Sequence, residues 1–401
     1  MMRYKQISRL ALVTETYAPE INGVANTLKY LVDGMQSRVE QLQLILPVKD
    51  GKPDTKVEGA RTTVTVKGYP LPKYSDLQFG APAFRSILNL WRQQPPSVVY
   101  IATEGPLGWA ANFIAQRMGI PVVSGFHTNF QAYSNYYGLG ILEKLTTLYL
   151  RGFHNKTQKT LVPTLEQRNF LRDKGFENVE IMPRGVDCDR FSPTHRNTEL
   201  RSSWGLEDKD LAIIYVGRLA AEKNITLAIK SFRAIQAANQ DSINTRLVFV
   251  GDGPLRESLA EENPDFIFCG MQTGKALSEH YASGDLFLFP SMSETFGNVV
   301  TEAMASGLAI VGFDYAAAKA HINDGKNGLV APLNNETVFV EKAVALFQSQ
   351  TLVTRVRNNA RATAERISWN DIIHLFEKHL LMTLDTKSSV SALPNAQLSQ
   401  Y

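Results

Sequence analysis

Two glutamates flank a glycine-containing turn in the second half of the sequence. Glu294 and Glu302 are eight positions apart, Gly297 lies between them, and the preceding run Leu286–Phe289 is apolar. We interpret this run as a buried strand, so Glu294 lies in the loop at its carboxyl end and the amides of residues 296–298 open a helix. Open α/β sheets bind ligands at this edge, and amides at a helix start attract anions. The alternative is a solvated helix face that happens to carry two carboxylates.

Each half of the chain begins with the same pattern of strand, loop and helix. The apolar run 10–13 precedes a loop that ends at Asn22 and Gly23, and the run 211–216 precedes the loop 217–224. Glycine lets a backbone approach a phosphate closely, so Asn22 and Gly23 could form an anion cradle, although a plain turn has the same composition. Further strands are predicted at 42–46, 98–101, 122–124, 247–250 and 286–289. Strands that alternate with helices predict a parallel sheet covered by helices, once per half.

The length of 401 residues exceeds one ordinary hydrophobic core and suits two domains. A Pro/Gly/Asp-rich segment at 184–193 separates the two sets of strands. The prediction is therefore an α/β fold with two Rossmann-like parallel-sheet domains that face a cleft. Its boundaries are 1–190, 191–368, a terminal helix at 369–385, and a disordered tail at 386–401.

Charge is distributed unevenly between the two halves. Residues 1–190 carry 23 Lys+Arg against 16 Asp+Glu, and residues 191–401 carry 19 against 23. The basic first half predicts an anionic partner, either a membrane surface or an acidic substrate, although ordinary scatter of surface charge is the alternative. No array of basic and aromatic residues suggests nucleic acid.

The number of cysteines and the lengths of the apolar runs indicate the cellular compartment of the protein. Cys188 and Cys269 are the only cysteines, and they form neither a disulfide framework nor a cysteine-rich metal site. The first residues run directly into a strand without a signal-peptide pattern, and no apolar run reaches about 18 residues. We predict a cytoplasmic protein whose membrane contact, if it has one, is peripheral and on the inner face of the cell membrane.

Four motifs occur in order along the second half, and three occur in the first. The second-half motifs are Gly217-Arg218-Leu219 with Lys223-Asn224, Gly251-Asp252-Gly253-Pro254, the segment from Glu294 to Glu302, and residues 323–330. Together they resemble the retaining glycosyltransferases of the GT-B fold, family 4. Segments 14–24, 103–108 and 126–130 resemble the branch with GDP-mannose-dependent α-mannosyltransferases, sulfoquinovosyl-diacylglycerol synthases and related glycolipid glycosyltransferases.

The resemblance implies a nucleotide-sugar site without metal or cofactor. It places Arg218 and Lys223 on the diphosphate, whose developing charge two cations can stabilise. As isolated residues both would be surface charges. Residues 1–190 then hold the acceptor and residues 191–368 the donor, and the terminal helix returns to the first domain.

The family also assigns roles along the glutamate segment. Phe296, Gly297, Asn298 and Val299 offer backbone amides to the sugar and phosphate. Glu302 accepts hydrogen bonds from the ribose hydroxyls, and Glu294 lies near the sugar hydroxyls as a positioning residue. These roles, like the others, are carried over from the resemblance.

His127 and the segment 133–145 are the remaining candidates. His127 follows a predicted strand and by resemblance lies close to the transferred sugar, although a structural histidine is the alternative. The segment 133–145 combines aromatic residues with an apolar and basic helix. It is either an acceptor mouth and membrane face or a helix packed in the core. Glu104 and Arg184 occupy motif positions to which we assign no role.

The resemblance implies transfer of a hexosyl group with retained anomeric configuration by front-face displacement. Double displacement through Glu294 is the alternative mechanism. GDP-mannose is the first donor and a glycolipid or diacylglycerol-type lipid the first acceptor. Residues 314–321 depart from the glycine pair and acidic residue of many relatives, which leaves the donor open. The alternatives are a UDP-sugar-dependent diacylglycerol glucosyl- or sulfoquinovosyltransferase, a UDP-sugar epimerase or hydrolase, and a non-catalytic binding protein.

Overall fold

The chain forms two compact units. The structure, a computed structural model, describes residues 6–20, 22–48, 51–71, 74–127, 140–239 and 243–390. Within these ranges the first unit comprises the residues up to 127 together with 140–183 and 370–390, and the second comprises 184–369. Each unit has its own sheet and its own hydrophobic core.

The first unit is built on a nine-stranded sheet with the order β3-β4-β2-β1-β6-β7-β8-β9, and β5 pairs with β4. Its strands are β1 (Arg9–Val13), β2 (Gln41–Val48), β3 (Thr55–Glu58), β4 (Arg61–Leu71), β5 (Tyr74–Gly80), β6 (Val98–Ile101), β7 (Val122–Gly125), β8 (Lys159–Val162) and β9 (Val179–Ile181). The pairs are parallel except that β3 and β5 run antiparallel to β4. Strands β6 and β7 are buried along their whole length, as expected where helices cover both faces of a parallel sheet.

Helices connect the parallel strands of this first sheet. They are α1 (Gly23–Gln36), α2 (Phe84–Gln93), α3 (Pro106–Met118), α4 (Gly140–His154) and α5 (Leu165–Asp173). Helix α3 begins at a proline, whose missing N–H has no helical partner at that position, and it ends at Gly119, which adopts a left-handed φ of 64°. These local signals fix the helix that follows β6, and with it the loop at the carboxyl end of that strand.

The second unit is built on a six-stranded sheet that is parallel throughout, with the order β12-β11-β10-β13-β14-β15. Its strands are β10 (Leu211–Val216), β11 (Thr245–Val250), β12 (Ile267–Phe268), β13 (Leu286–Phe289), β14 (Ala309–Phe313) and β15 (Leu329–Ala331). Its helices are α6 (Thr198–Ser203), α7 (Ile225–Ala238), α8 (Arg256–Glu262), α9 (Gly274–Ser283), α10 (Asn298–Ala305), α11 (Ala316–His321), α12 (Glu336–Phe347) and α13 (Gln350–Ala364). The strand order reverses between β10 and β13, and ligands bind at such switch points in open α/β sheets.

The last helix, α14 (Trp369–Val390), belongs to the first unit from residue 370 onward. Phe376 packs edge-on against Tyr100 of β6 with ring centroids 4.8 Å apart, and Arg38 forms a 2.9 Å ion pair with Glu377. The helix continues to Val390, five residues past the end that the sequence predicted. Residues 391–401 of the predicted tail lie outside the described part of the chain.

Candidate functional site

Two glycine loops brace each other at the carboxyl edge of the second sheet. A Cβ on Gly251, where φ is +144°, would lie 2.0 Å from the carbonyl oxygen of Gly217, so the close approach of the two backbones requires glycine. The amide of Leu219 donates to the carbonyl of Asp252 at 2.9 Å. The loop after β10, which carries Arg218 and Lys223, is therefore held by the loop after β11.

Lys223 and Glu294 meet between the loops that follow β10 and β13. The Lys223 ammonium lies 2.6 Å from Oε1 of Glu294 and also donates to the carbonyl of Ser293 at 3.2 Å. Their side chains are only 18% and 15% exposed, so the pair is partly desolvated. Arg218 lies on the same loop with 53% of its side chain exposed. The structure thus brings two predicted residues into direct contact and leaves the Arg218 guanidinium accessible to an anion.

Helix α10 starts directly after this pair. Gly297 caps it with a left-handed backbone (φ 90°), and no side-chain cap bond satisfies the first amides. Phe296, directly before this glycine, is buried. Asn298 and Val299 are the first two residues of the helix. The buried Oδ1 of Asn298 has no hydrogen-bond partner among the described residues. A helix start with open amides suits an anionic ligand, and a buried polar atom without a partner is one that a ligand can satisfy.

Glu302 lies one turn further along α10. The hydroxyl of Tyr281 donates to its Oε2 at 2.8 Å, which orients the carboxylate. Burial raises the pKa of Glu302, while the hydrogen bond from Tyr281 and the charge of Arg190 lower it. Sequence reasoning did not identify Tyr281, because a tyrosine in a helical pattern reads as a core residue.

Residues 314–321, which differ from the pattern of many relatives, contact the loop that carries Glu294 and Phe296. The hydroxyl of Tyr315 donates to the backbone carbonyl of Glu294 at 3.0 Å, and the amide of Ala317 donates to the carbonyl of Phe296 at 2.8 Å. Ala316 has a φ of 52°, a left-handed conformation that favours glycine. Residues that depart from the family pattern therefore still support the loop that carries Glu294.

In the first unit, Asn22 caps helix α1. Its Oδ1 accepts from the amide of Ala25 at 2.8 Å, and its Nδ2 donates to the hydroxyl of Thr16 at 2.8 Å. This fixed cap leaves the amides of Gly23 and Val24 at the open end of a 14-residue helix. The predicted anion cradle is thus a helix start, and its role in binding stays a prediction.

His127 follows β7 and is buried in the first unit. Its Nε2 lies 3.3 Å from the hydroxyl of Tyr100, the residue against which Phe376 packs. A Cβ on Gly125 would lie 2.6 Å from that Nε2, so glycine is needed beside the ring. Residues 128–130 of the same motif, and 133–139 of the predicted acceptor segment, lie outside the described residues.

Glu104 takes part in a buried network that sequence reasoning did not find. Its Oε1 lies 3.1 Å from Nε2 of His154, and Nδ1 of His154 lies 2.8 Å from the hydroxyl of Ser124. The order resembles a hydrolase triad, but Ser124 is fully buried and also contacts the hydroxyls of Thr157 and Thr160. Because no substrate can reach Ser124, the network is structural.

Glu15 is a buried carboxylate at the carboxyl end of β1. Its Oε1 accepts from the amide of Leu107 at 2.9 Å, in the first turn of α3. Burial raises the pKa of Glu15 to about 7, hydrogen bonds from the amides of Leu107 and Gly80 lower it, and the charge of Glu104 raises it. Sequence reasoning passed over Glu15, because nothing in its local pattern indicates burial.

Glu15→Gln should stabilise the protein more at pH 8 than at pH 5. Between pH 4.5 and 7 the folded chain retains a proton that the unfolded chain has lost, so the free energy of unfolding falls as the pH rises through this window. A pKa raised from 4.5 to about 7 corresponds to about 3 kcal/mol at most. Urea unfolding of the wild type and the variant across this pH range measures the difference.

The matched control for Glu15→Gln is Glu40→Gln, at an exposed glutamate of the same unit. It should leave the shape of the stability curve against pH unchanged. A wild-type pH dependence that survives in Glu15→Gln would show that another group carries it.

The described residues contain neither a cluster of metal ligands nor a helix that could span a membrane. Among residues 6–20, 22–48, 51–71, 74–127, 140–239 and 243–390, no three His, Cys, Asp or Glu side chains converge on a point where they could hold a metal ion. In those ranges, no helix combines the length and apolar character needed to cross a membrane.

The chain matches two glycosyltransferase family models and named relatives. Residues 21–190 match the family model Glycosyltransferase Family 4, and residues 210–349 match Glycosyl transferases group 1. A GDP-mannose-dependent alpha-mannosyltransferase of Mycobacterium tuberculosis is 32% identical over 341 residues, which cover 84% of this chain and 87% of that protein. A sulfoquinovosyl transferase of Arabidopsis thaliana is 27% identical over 363 residues, which cover 87% of this chain and 68% of that protein.

Among solved structures, a sucrose-phosphate synthase from Thermosynechococcus elongatus superposes with a TM-score of 0.74. The match covers 96% of this chain and all of that one at 14% identity. At this identity the match establishes the fold alone.

Proposed function

This chain belongs to glycosyltransferase family 4, with the GT-B fold, and from that premise we propose that it transfers mannose from GDP-mannose to a hydroxyl group of a glycolipid or diacylglycerol-type lipid. That it is a glycosyltransferase follows from the family. The donor, the acceptor and retention of the anomeric configuration are the proposal. The names of its mannosyltransferase and diacylglycerol glycosyltransferase relatives support this choice.

The contact between Lys223 and Glu294 beside the open start of α10 carries the proposal. A nucleoside diphosphate needs cations and amides for its phosphates and a carboxylate for its ribose hydroxyls. Lys223 and Arg218 supply the cations, α10 supplies the amides of residues 298 and 299, and Glu302 supplies the carboxylate. All lie at the carboxyl edge of one sheet, near its switch point.

In the proposed reaction the acceptor hydroxyl attacks the anomeric carbon on the face from which the diphosphate leaves. The bond from this carbon to the diphosphate oxygen breaks, and the hydroxyl proton passes to the departing phosphate oxygen. Lys223 and Arg218 stabilise the charge that develops on the diphosphate, and no metal or cofactor is assigned. Glu294 positions the sugar, and in the first unit His127 and the helix start at Asn22 and Gly23 remain candidates for sugar and phosphate contacts.

Thermal unfolding with a panel of nucleotides tests the donor. A ligand that binds only the folded state raises the midpoint in proportion to its affinity. GDP and GDP-mannose, without added metal, should raise it more than UDP, ADP or their sugars do. A selective UDP shift would instead favour a diacylglycerol glucosyl- or sulfoquinovosyltransferase, and no shift with any nucleotide would contradict the donor site.

Exposed apolar side chains on two helices of the first unit support a lipid acceptor. Trp109 and Phe113 of α3 stack with ring centroids 5.8 Å apart, and both are exposed, as are Leu145 and Leu148 of α4. The Arg117 guanidinium lies 4.7 Å from the centroid of the Phe113 ring. Exposed aromatic and leucine side chains, with a cation beside one of the rings, suit the interface of an anionic bilayer.

We expect the protein to float with vesicles of phosphatidylcholine that contain phosphatidylglycerol, and to float less with phosphatidylcholine alone. Trp109→Ser with Leu148→Ser should reduce flotation, because each removes apolar surface available to the bilayer. The control, Met271→Ser, alters an exposed apolar residue of the second unit. Equal recovery of all variants in the soluble fraction would contradict membrane contact.

A further inference from the structure

A cavity of about 320 Å³ lies in the second unit, away from the loops described above. It borders Gly307, two residues before β14, and Arg357, whose guanidinium lies 3.5 Å from Asp285, the residue that directly precedes β13. It is therefore at the amino-terminal edge of the sheet, whereas the loops with Lys223 and Glu294 follow the carboxyl ends of β10 and β13. One face of α13 lines it with Gln350, Thr354, Arg357, Asn358 and Arg361.

Positive charge exceeds negative charge behind this cavity. Buried Asp285 accepts from Arg201 at 2.9 Å, from Arg196 at 3.1 Å and from Arg357 at 3.5 Å. The amide of Ala212 also donates to the carboxylate at 2.8 Å. One carboxylate thus faces three guanidinium groups, and their mutual repulsion is only partly offset.

Arg357 lies between the cluster and the cavity. Its Nε donates to the carbonyl of Gly307 at 2.7 Å, which fixes the plane of the guanidinium. Burial lowers the pKa of Arg357, Asp285 raises it, and the neighbouring charges of Arg196 and Arg201 lower it. An anion in the cavity would relieve this repulsion.

Arg361 is held rigidly one helical turn further along α13. Its NH1 group donates to the carbonyls of Ala305 at 2.7 Å, Phe191 at 2.8 Å and Cys188 at 3.1 Å. Its Nε forms an ion pair with Glu365 at 2.8 Å, so the NH2 group is the part that can meet a ligand. A preorganised guanidinium loses little rotamer freedom when it binds a ligand. No aspartate or glutamate is among the described residues that line the cavity.

We propose that this cavity is a second ligand site, which binds the phosphate group of inorganic phosphate or of a small phosphate monoester. The guanidinium groups of Arg357 and Arg361 can donate hydrogen bonds to phosphate oxygens. The Thr354 hydroxyl and the side-chain amides of Gln350 and Asn358 add neutral donors. Its volume falls in the ~300–1,000 Å³ range of small-molecule sites. The site is independent of the proposed transfer reaction.

Calorimetric titration of the full chain with inorganic phosphate at constant ionic strength tests the site. The protein should carry Arg218→Gln and Lys223→Gln, so that the loops at the opposite edge do not contribute phosphate binding. We expect one saturable site, and addition of Thr354→Glu should weaken it by about 10-fold or more through charge repulsion. Glycerol 3-phosphate and a hexose 6-phosphate are titrated alongside, and tighter binding of any one of the three compounds identifies the source of the phosphate group.

Arg355→Gln is the matched control for charge, because Arg355 is an exposed arginine of the same helix that does not line the cavity. It should leave phosphate affinity unchanged. Thr354 is exposed, so its replacement should leave thermal stability near that of the parent. Absence of saturable binding below ~10 mM phosphate, or equal affinity with and without Thr354→Glu, would overturn the proposal.

Discussion

Lys223→Met should lower the turnover of sugar transfer by about 100-fold or more, with a smaller effect on the Michaelis constant for the donor. The ammonium lies 2.6 Å from Glu294 in a partly desolvated position, where a cation interacts strongly with charge that develops on a departing diphosphate. The measurement is steady-state transfer from GDP-mannose to a lipid acceptor, with release of GDP followed in parallel.

The same variant leaves the Glu294 carboxylate without its cation, so loss of activity alone could reflect a disturbed loop. Lys223→Met is expected to cost about 1–3 kcal/mol in the free energy of unfolding for this reason. Adding Glu294→Gln removes the unpaired charge and should restore most of that stability. Because Glu294 itself positions the sugar, the double variant is compared with Glu294→Gln alone. If Lys223 acts on the leaving group, turnover in the double variant is lower than in Glu294→Gln although stability returns.

Lys230→Met provides the matched control, because Lys230 is an exposed lysine of α7 that pairs with Glu336 at 3.5 Å. It should change turnover less than twofold and stability by about 0.5 kcal/mol or less. Turnover near the wild-type value in Lys223→Met would exclude the proposed role of this residue.

The fold was predictable where a strand is a long apolar run, whereas the short apolar strands β12 and β15 were not predicted. Leu211–Val216 and Val98–Ile101 match their predicted bounds, because runs buried on both faces carry a continuous apolar signal. The antiparallel strands β3 and β5 were not predicted. β3 is exposed throughout, so its residues TKVE provide no burial pattern, and tertiary pairing with β4 decides its conformation.

The site was predictable in its residue types but only partly in its contacts. Glycine spacing indicated where the loops of Lys223 and Glu294 lie, but their ion pair depends on the side-by-side placement of β10 and β13. Tyr281 of α9 is 21 positions before Glu302 of α10, so their hydrogen bond depends on the relative placement of the two helices. Burial raises the pKa of Glu15, and this burial arises from the packing of segments that are distant in the sequence, with Leu107 of α3 in contact with the carboxylate.

Glu302→Ala should weaken the binding of GDP by about 10- to 100-fold, which corresponds to the loss of hydrogen bonds to a charged acceptor. In the described chain Tyr281 occupies Oε2, and Oε1 remains for the ribose hydroxyls. Calorimetric titration with GDP measures the change. Since burial raises the pKa of Glu302, affinity should fall as the pH falls through a range above that of an ordinary glutamate.

Two further variants separate ligand binding from support of the fold. Glu302→Gln keeps the shape but cannot ionise, so it should abolish this part of the pH dependence while losing part of the affinity. Tyr281→Phe removes the hydroxyl that orients the carboxylate and should weaken GDP binding less than Glu302→Ala does, because the charged acceptor remains. The contrary result is that Glu302→Ala and Tyr281→Phe weaken GDP binding equally and lower thermal stability to the same extent. The hydrogen bond then supports the core, and Glu302 is not the carboxylate that binds the ribose.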